Sequence, residues 1–159
     1  MKRVLCSILL AIMSFACGVV FIIYQCGYIL ESERKRADKF FSYFKLLDRW
    51  LTCKEQNYSF EDYFIKNNIK TAAIYGMGQI GKHLKHELET AGIEVSYVID
   101  EGESVIYGKE RHYNLRDDLP LVDIVIVTPV NEFEEIKNNI LDKNRILNVV
   151  SVNSVIRAD

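Results

Sequence analysis

Three glycines stand at the spacing that presents backbone donors to an anion. The run Gly76-Met77-Gly78-Gln79-Ile80-Gly81 follows the apolar stretch Thr71 to Tyr75 and opens a helical pattern. Gly76 permits a tight turn out of a strand, Gly78 lets the backbone approach a pyrophosphate with no side chain in the way, and Gly81 lets the helix pack close to a sheet. The amides of Gln79, Ile80 and Gly81 then lie at a helix N-terminus, where unpaired donors and the helix dipole favour phosphate oxygens. Downstream, Asp100 ends a second apolar run. A carboxylate there accepts both hydroxyls of a ribose and repels a 2′-phosphate. Glu101 adds to that repulsion and no Arg follows directly. The chemistry is that of holding a small-molecule nucleotide, NAD in preference to NADP, or a nucleotide sugar. A solvated acid at a strand end is the simpler alternative for Asp100.

Asp123-Ile-Val-Ile-Val leads into Thr128 and Pro129, whose hydroxyl and backbone could reach a second ribose or phosphate. The competing reading is a Thr that caps the turn and a Pro that ends the strand. A catalytic group is harder to find. His83 and His86 sit among Lys82, Lys85, Glu87 and Glu89 on a solvated helix face, and His112 and Tyr113 fall in the least readable stretch, 102–119. No Ser/His/Asp arrangement, phosphate-loop lysine or paired carboxylate stands out. Cys6, Cys17 and Cys26 lie in one apolar run and Cys53 stands alone, so neither a disulfide framework nor a zinc site is expected. The expectation is binding without turnover by this chain alone.

The elements that must position these residues alternate. A strand at 71–75, a helix with Ile80, Leu84, Leu88 and Ala91 on one face, Gly92 as its stop, and a strand at 94–99 make a parallel βαβ unit. A short strand is expected near Glu110 to Tyr113. A fully buried strand follows at Asp123 to Val127, then a helix capped by Asn131 with Glu134 and carrying Phe133, Ile136, Ile140 and Leu141, then a strand at Arg145 to Val150. The fold class is α/β, a compact parallel sheet with helices on both faces. Ahead of it, Ser59 and Asp62 read as a capping box for a short helix with Phe60, Tyr63 and Phe64, stopped at Asn68.

The N-terminus differs in kind. Val4 to Leu30 holds no charge. As a helix it is about 40 Å long against a hydrocarbon core of about 30 Å, and it is longer than the apolar core of a cleavable signal. A retained transmembrane helix in a lipid bilayer is expected. Lys2 and Arg3 precede it, whereas Arg34, Lys35, Arg36, Lys39, Lys45 and Arg49 follow, which places the N-terminus outside and the C-terminal domain in the cytoplasm. After the span, Ala37, Phe40, Phe44, Leu47 and Leu51 recur at spacings of three and four, widened by Phe41 and Trp50, along an amphipathic helix from about Glu31 to Cys53. That stripe could pair with a second copy, pack on the following domain or lie on the membrane. Homodimerisation through residues 37–51 ranks first, because a shared bilayer raises the effective concentration of chains. A net charge of −2 and the absence of a basic, aromatic-interleaved stripe leave no footprint for nucleic acid. Three segments result: an anchor at 1–30, a helical linker at 31–69 and a nucleotide-binding domain at 70–159.

On the glycine turn, Asp100 and the Asp123-Ile-Val-Ile-Val-Thr-Pro strand, residues 70–151 resemble the NAD(P)-binding Rossmann superfamily. The Thr-Pro strand is most similar to the nucleotide domain of the glucose-fructose oxidoreductase type. With its anchor and aromatic linker, the layout also resembles small Rossmann proteins that accompany bacterial surface-polysaccharide synthesis. The resemblance implies a Rossmann-like fold and a cofactor held by Gly76, Met77, Gly78, Gln79, Ile80, Gly81, Asp100, Thr128 and Pro129. Oxidoreductases of this type carry their catalytic Lys or His on a second α/β domain, which these 159 residues do not hold. A regulatory or accessory role beside a membrane-bound enzyme partner is therefore expected, or else a subunit that such a partner completes, or a structural adaptor with no ligand.

Overall fold

A computed structural model describes residues 2–56, 60–100 and 111–156. The chain divides into two compact units, Met1–Phe41 and Ser42–Asp159. The first is formed by helix α1 (Lys2–Glu55), whose C-terminal turns belong to the second unit. From Ile12 to Leu30 every residue is exposed. This one helix is long and apolar enough to cross a membrane, and none of its apolar window is buried in the protein. Past Leu30 the ion pairs Lys35–Glu31 (2.8 Å) and Arg36–Glu33 (2.9 Å) support the helix where apolar residues give out.

The second unit is α/β with a five-stranded parallel sheet. In chain order it contains α2 (Phe60–Lys66), β1 (Thr71–Tyr75), α3 (Gln79–Thr90), β2 (Glu94–Ile99), β3 (Arg111–Tyr113), β4 (Ile124–Val127), α4 (Phe133–Lys143), β5 (Val149–Ser151) and α5 (Val152–Val155). The strand order is β3-β2-β1-β4-β5, every pair parallel. β1 and β4 are apolar throughout because both their faces are covered. On one face Ala72 and Ile74 of β1, Val98 of β2 and Ile126 of β4 pack with Leu84 and Leu88 of α3, Phe64 of α2, and Val152 and Val155 of α5. On the other, Ala73, Tyr75, Tyr97, Val125 and Val127 pack with Ile136 and Ile140 of α4. Tyr97 donates its hydroxyl to the Pro120 carbonyl (2.8 Å), and burial beside Tyr113 pushes its phenol up to about 12, which keeps it a neutral donor.

The core begins well before residue 70. Leu46, Trp50 and Cys53, on the last turns of α1, are buried with the sheet, and the Cys53 thiol lies 3.3 Å from the Ile156 carbonyl. Trp50 therefore does not widen the stripe at Phe44, Leu47 and Leu51, which stays exposed. It belongs to a second series, Tyr43, Leu46, Trp50 and Cys53, on an adjacent face of the helix. Two further expectations are corrected. Asn131 does not cap α4: the N-cap is Glu132, without a side-chain bond to the helix, because Asn131 still belongs to the turn that follows Pro129. The last strand is not Arg145 to Val150 but Val149–Ser151. Ile146 points to solvent in a turn closed by Leu147 N–H on the Asn144 carbonyl, and only Leu147 enters the core. Asn68 stops α2 in a left-handed conformation (φ 52°), whereas Ser59, its expected cap, lies outside the described residues.

At the N-terminal ends of the strands, one Asp123 carboxylate oxygen accepts from Lys70 N–H (2.8 Å), Thr71 N–H (2.8 Å) and the Thr71 hydroxyl (3.0 Å). These bonds, the backbone amides of Lys70 and Thr71 first, hold the carboxyl below its ordinary value. Its contribution to stability is thus present above the unfolded-state pKa of about 3.9 and is lost as pH falls through the lower folded value. Asp123→Asn is expected to lower the melting temperature at pH 7. The gap to the parent should narrow on acidification below about pH 4, as the parent carboxylate itself protonates; melting curves at both pH values check this.

Candidate functional site

The sheet order makes β1 the strand from which the chain leaves in two directions: first to β2 and β3 on one side, then back across to β4 and β5 on the other. Ligands of open parallel sheets bind at such a switch point, outside the C-terminal ends of the strands. The turn after β1 and the Thr128-Pro129 turn after β4 flank it. Most of the sequence-predicted residues meet there.

Gly76 leaves β1 at φ 88°, and its N–H donates to the Ile99 carbonyl at the end of β2 (2.8 Å). Thr128 latches the same turn from the other side. Its N–H donates to the Tyr75 carbonyl (3.0 Å), and its hydroxyl lies 3.1 Å from the Tyr75 and 2.9 Å from the Gly76 carbonyl oxygens. A Cβ on Gly76 would stand 2.7 Å from the Thr128 hydroxyl and 3.2 Å from the Pro129 ring. A Cβ on Gly81 would stand 2.1 Å from the Gly76 carbonyl oxygen, so α3 reaches its place on the sheet only with glycine there. Met77 buries its side chain and donates its N–H to the Asp100 carboxylate (2.8 Å). Gly76, Met77, Gly81, Asp100, Thr128 and Pro129 thus form one joined cluster.

Gly78 stands apart from this logic. It has φ −65° and ψ −165°, a conformation open to any residue, and a Cβ there would meet nothing within 4 Å. As the N-cap of α3 it supplies no side-chain bond, and the first helical bond is Lys82 N–H to the Gly78 carbonyl (3.1 Å). The N–H groups of Gln79, Ile80 and Gly81 therefore have no partner within the helix. Gly78 and Gln79 are exposed, whereas the Ile80 side chain is in the core, so Ile80 can offer a ligand only its N–H. The result is an uncapped helix end with room beside it and an acid one strand away.

The Thr128 latch and the Asp100–Met77 bond were not foreseen. The capping alternative for Thr128 pointed toward the first of these, and nothing local in the sequence signals the second. The orphan nitrogen of His112 was also missed. His112 pairs in register with Val98 and so lies on the sheet face that carries α3; its Nε2 is buried without a hydrogen-bond partner among the described residues. His83 and His86 are exposed on α3. Among the described residues no group of three or more His, Cys, Asp or Glu gathers to hold a metal ion. Compared with models of known families, with curated proteins and with solved structures, the chain matches none.

Proposed function

We propose that the protein is a membrane-anchored, Rossmann-like module that binds NAD or a nucleotide sugar on its cytoplasmic side. The pyrophosphate would lie against the N-terminus of α3 and a ribose near Asp100. One observation carries this reading: two of the three motif glycines are required by the fold, but Gly78 is not. A glycine in open space, at a helix end with no side-chain cap, is accounted for by a ligand whose phosphate must approach the backbone. Supporting it, the strand order β3-β2-β1-β4-β5 is that of a nucleotide-binding half of a doubly wound sheet with two flanking strands beyond the switch point. The flanking bias in Lys and Arg supports the orientation. The role proposed is regulatory or accessory, in cell-surface polysaccharide metabolism, on the resemblance above. A subunit completed by a partner enzyme remains the alternative for turnover.

A second reading, an adaptor with no ligand, has its own support: Asp100 and Thr128 both hold the turn together. Thermal melting of the full chain in detergent separates the two. A ligand at 100 times its dissociation constant adds about 2.7 kcal/mol, which raises the melting temperature by several degrees. NAD or a nucleotide sugar should do this, with NAD ahead of NADP. No shift with any of them at millimolar concentration supports the adaptor instead.

A further inference from the structure

A dinucleotide lies across the crevice of an open parallel sheet, with one half on each side of the switch point. The two sides differ in this protein. On the β2 side Gly78 and Gln79 are exposed, and the Gln79, Ile80 and Gly81 amides have no partner within α3. On the β4 and β5 side, among the described residues, the polar groups at the strand ends are taken up by the chain itself. We propose that the site grips a nucleoside diphosphate and leaves the group esterified to its second phosphate unread by this chain. This rests on the nucleotide reading above and narrows its ligand to the part that NAD and a nucleotide sugar share.

Thr128 follows β4 and Ser151 ends β5, so theirs are the hydroxyls placed to meet a second ribose or a sugar. Thr128 is 4% exposed, and its N–H is held by the Tyr75 carbonyl. A hydroxyl donates one hydrogen, and this one lies between the Tyr75 and Gly76 carbonyl oxygens at 3.1 and 2.9 Å. Pro129 has no N–H, and its ring sits against Gly76. Ser151 is 8% exposed, and its hydroxyl caps α5 by accepting from the Asn153 N–H at 3.3 Å. β5 then passes without a loop into α5, whose Val152 and Val155 are fully buried.

Reading a distal group would break these bonds. To reach a ligand, the Thr128 or Ser151 hydroxyl must leave its backbone partner and emerge from cover, and the group left unpaired offsets what the new bond contributes. Asn131 is exposed on the turn after Pro129, but a bond from it to a ligand only replaces one to water, which is a small gain. Recognition therefore concentrates on the diphosphate, through charge-assisted bonds from the α3 amides, and on the ribose beside Asp100. The distal group, a nicotinamide riboside or a sugar, is left to another protein to recognise.

Calorimetric titration of the full chain in mild detergent tests this with two series of diphosphate esters. NAD, ADP-ribose and the β-methyl ester of ADP carry one nucleoside diphosphate with ever smaller distal groups; UDP-glucose and the β-methyl ester of UDP do the same for uridine. In the series that binds, the members should agree within about threefold, because the contacts that set affinity are common to all of them. Asn131→Ala should change none of them by more than about twofold. The matching monophosphate, AMP or UMP, should bind at least about tenfold more weakly, having lost one of the two phosphates. A preference above tenfold for NAD or UDP-glucose over its methyl ester, or a monophosphate that binds as tightly as the esters, would overturn this proposal while nucleotide binding stands. No binding in either series would overturn both readings.

Discussion

Gly81→Ala is expected to destabilise the Ser42–Asp159 unit by about 3 kcal/mol or more, the upper range for overpacking. The new Cβ would stand 2.1 Å from the Gly76 carbonyl oxygen and 3.1 Å from its carbon. Both are backbone atoms of a turn fastened on two sides, by Ile99 and by Thr128, so neither can yield cheaply. Relief requires α3 to lift from the sheet, and with it Leu84 and Leu88, which are fully buried. Against a total stability of about 5–15 kcal/mol, a loss of that size is a large fraction. Chemical denaturation of parent and variant checks it. Gly78→Ala is the internal control: a Cβ in open space at a permitted backbone conformation should change stability by less than about 1 kcal/mol, the scale of an N-cap substitution.

Gly78→Val is expected to show the opposite pattern, with stability nearly kept and nucleotide affinity reduced at least 100-fold, or about 2.7 kcal/mol. The branched side chain would fill the space at the α3 N-terminus where a pyrophosphate would approach the Gln79, Ile80 and Gly81 amides. Titration of parent and variant with NAD and with a nucleotide sugar reads this directly. Equal affinity in the two proteins would place the ligand elsewhere. The pair of glycines thus separates what the sheet needs from what a ligand needs, which the motif alone does not do.

The middle of the chain was legible because local pattern and tertiary packing agree there. β1, α3 and β2 combine a buried strand, a helix with a single apolar face and a glycine stop, and they fold as read at Thr71–Tyr75, Gln79–Thr90 and Glu94–Ile99. The end of the chain was not. Ile146 and Leu147 read as one apolar run with Val149 and Val150, yet a turn divides them, so hydropathy without register mislocates the strand. The linker was half legible: one three-four series was read as the helix face, and the second series, through Leu46 and Trp50, was missed although it is the one the domain buries. At the site, the glycines were found from spacing. That Asp100 bonds Met77 and Thr128 latches Gly76 depends on contacts between residues far apart in sequence, which only the sheet topology brings together.

Amide hydrogen exchange of the full chain tests whether the N-terminus of α3 holds a nucleotide, where the contact should occur. The N–H groups of Gln79, Ile80 and Gly81 have no intrahelical partner, so they should exchange fast in the free protein and slow on binding. NAD or a nucleotide sugar should protect peptides covering Gly76 to Lys82, with the effect lost in Gly78→Val. Unchanged exchange across that segment at saturating concentrations of both ligands would contradict it.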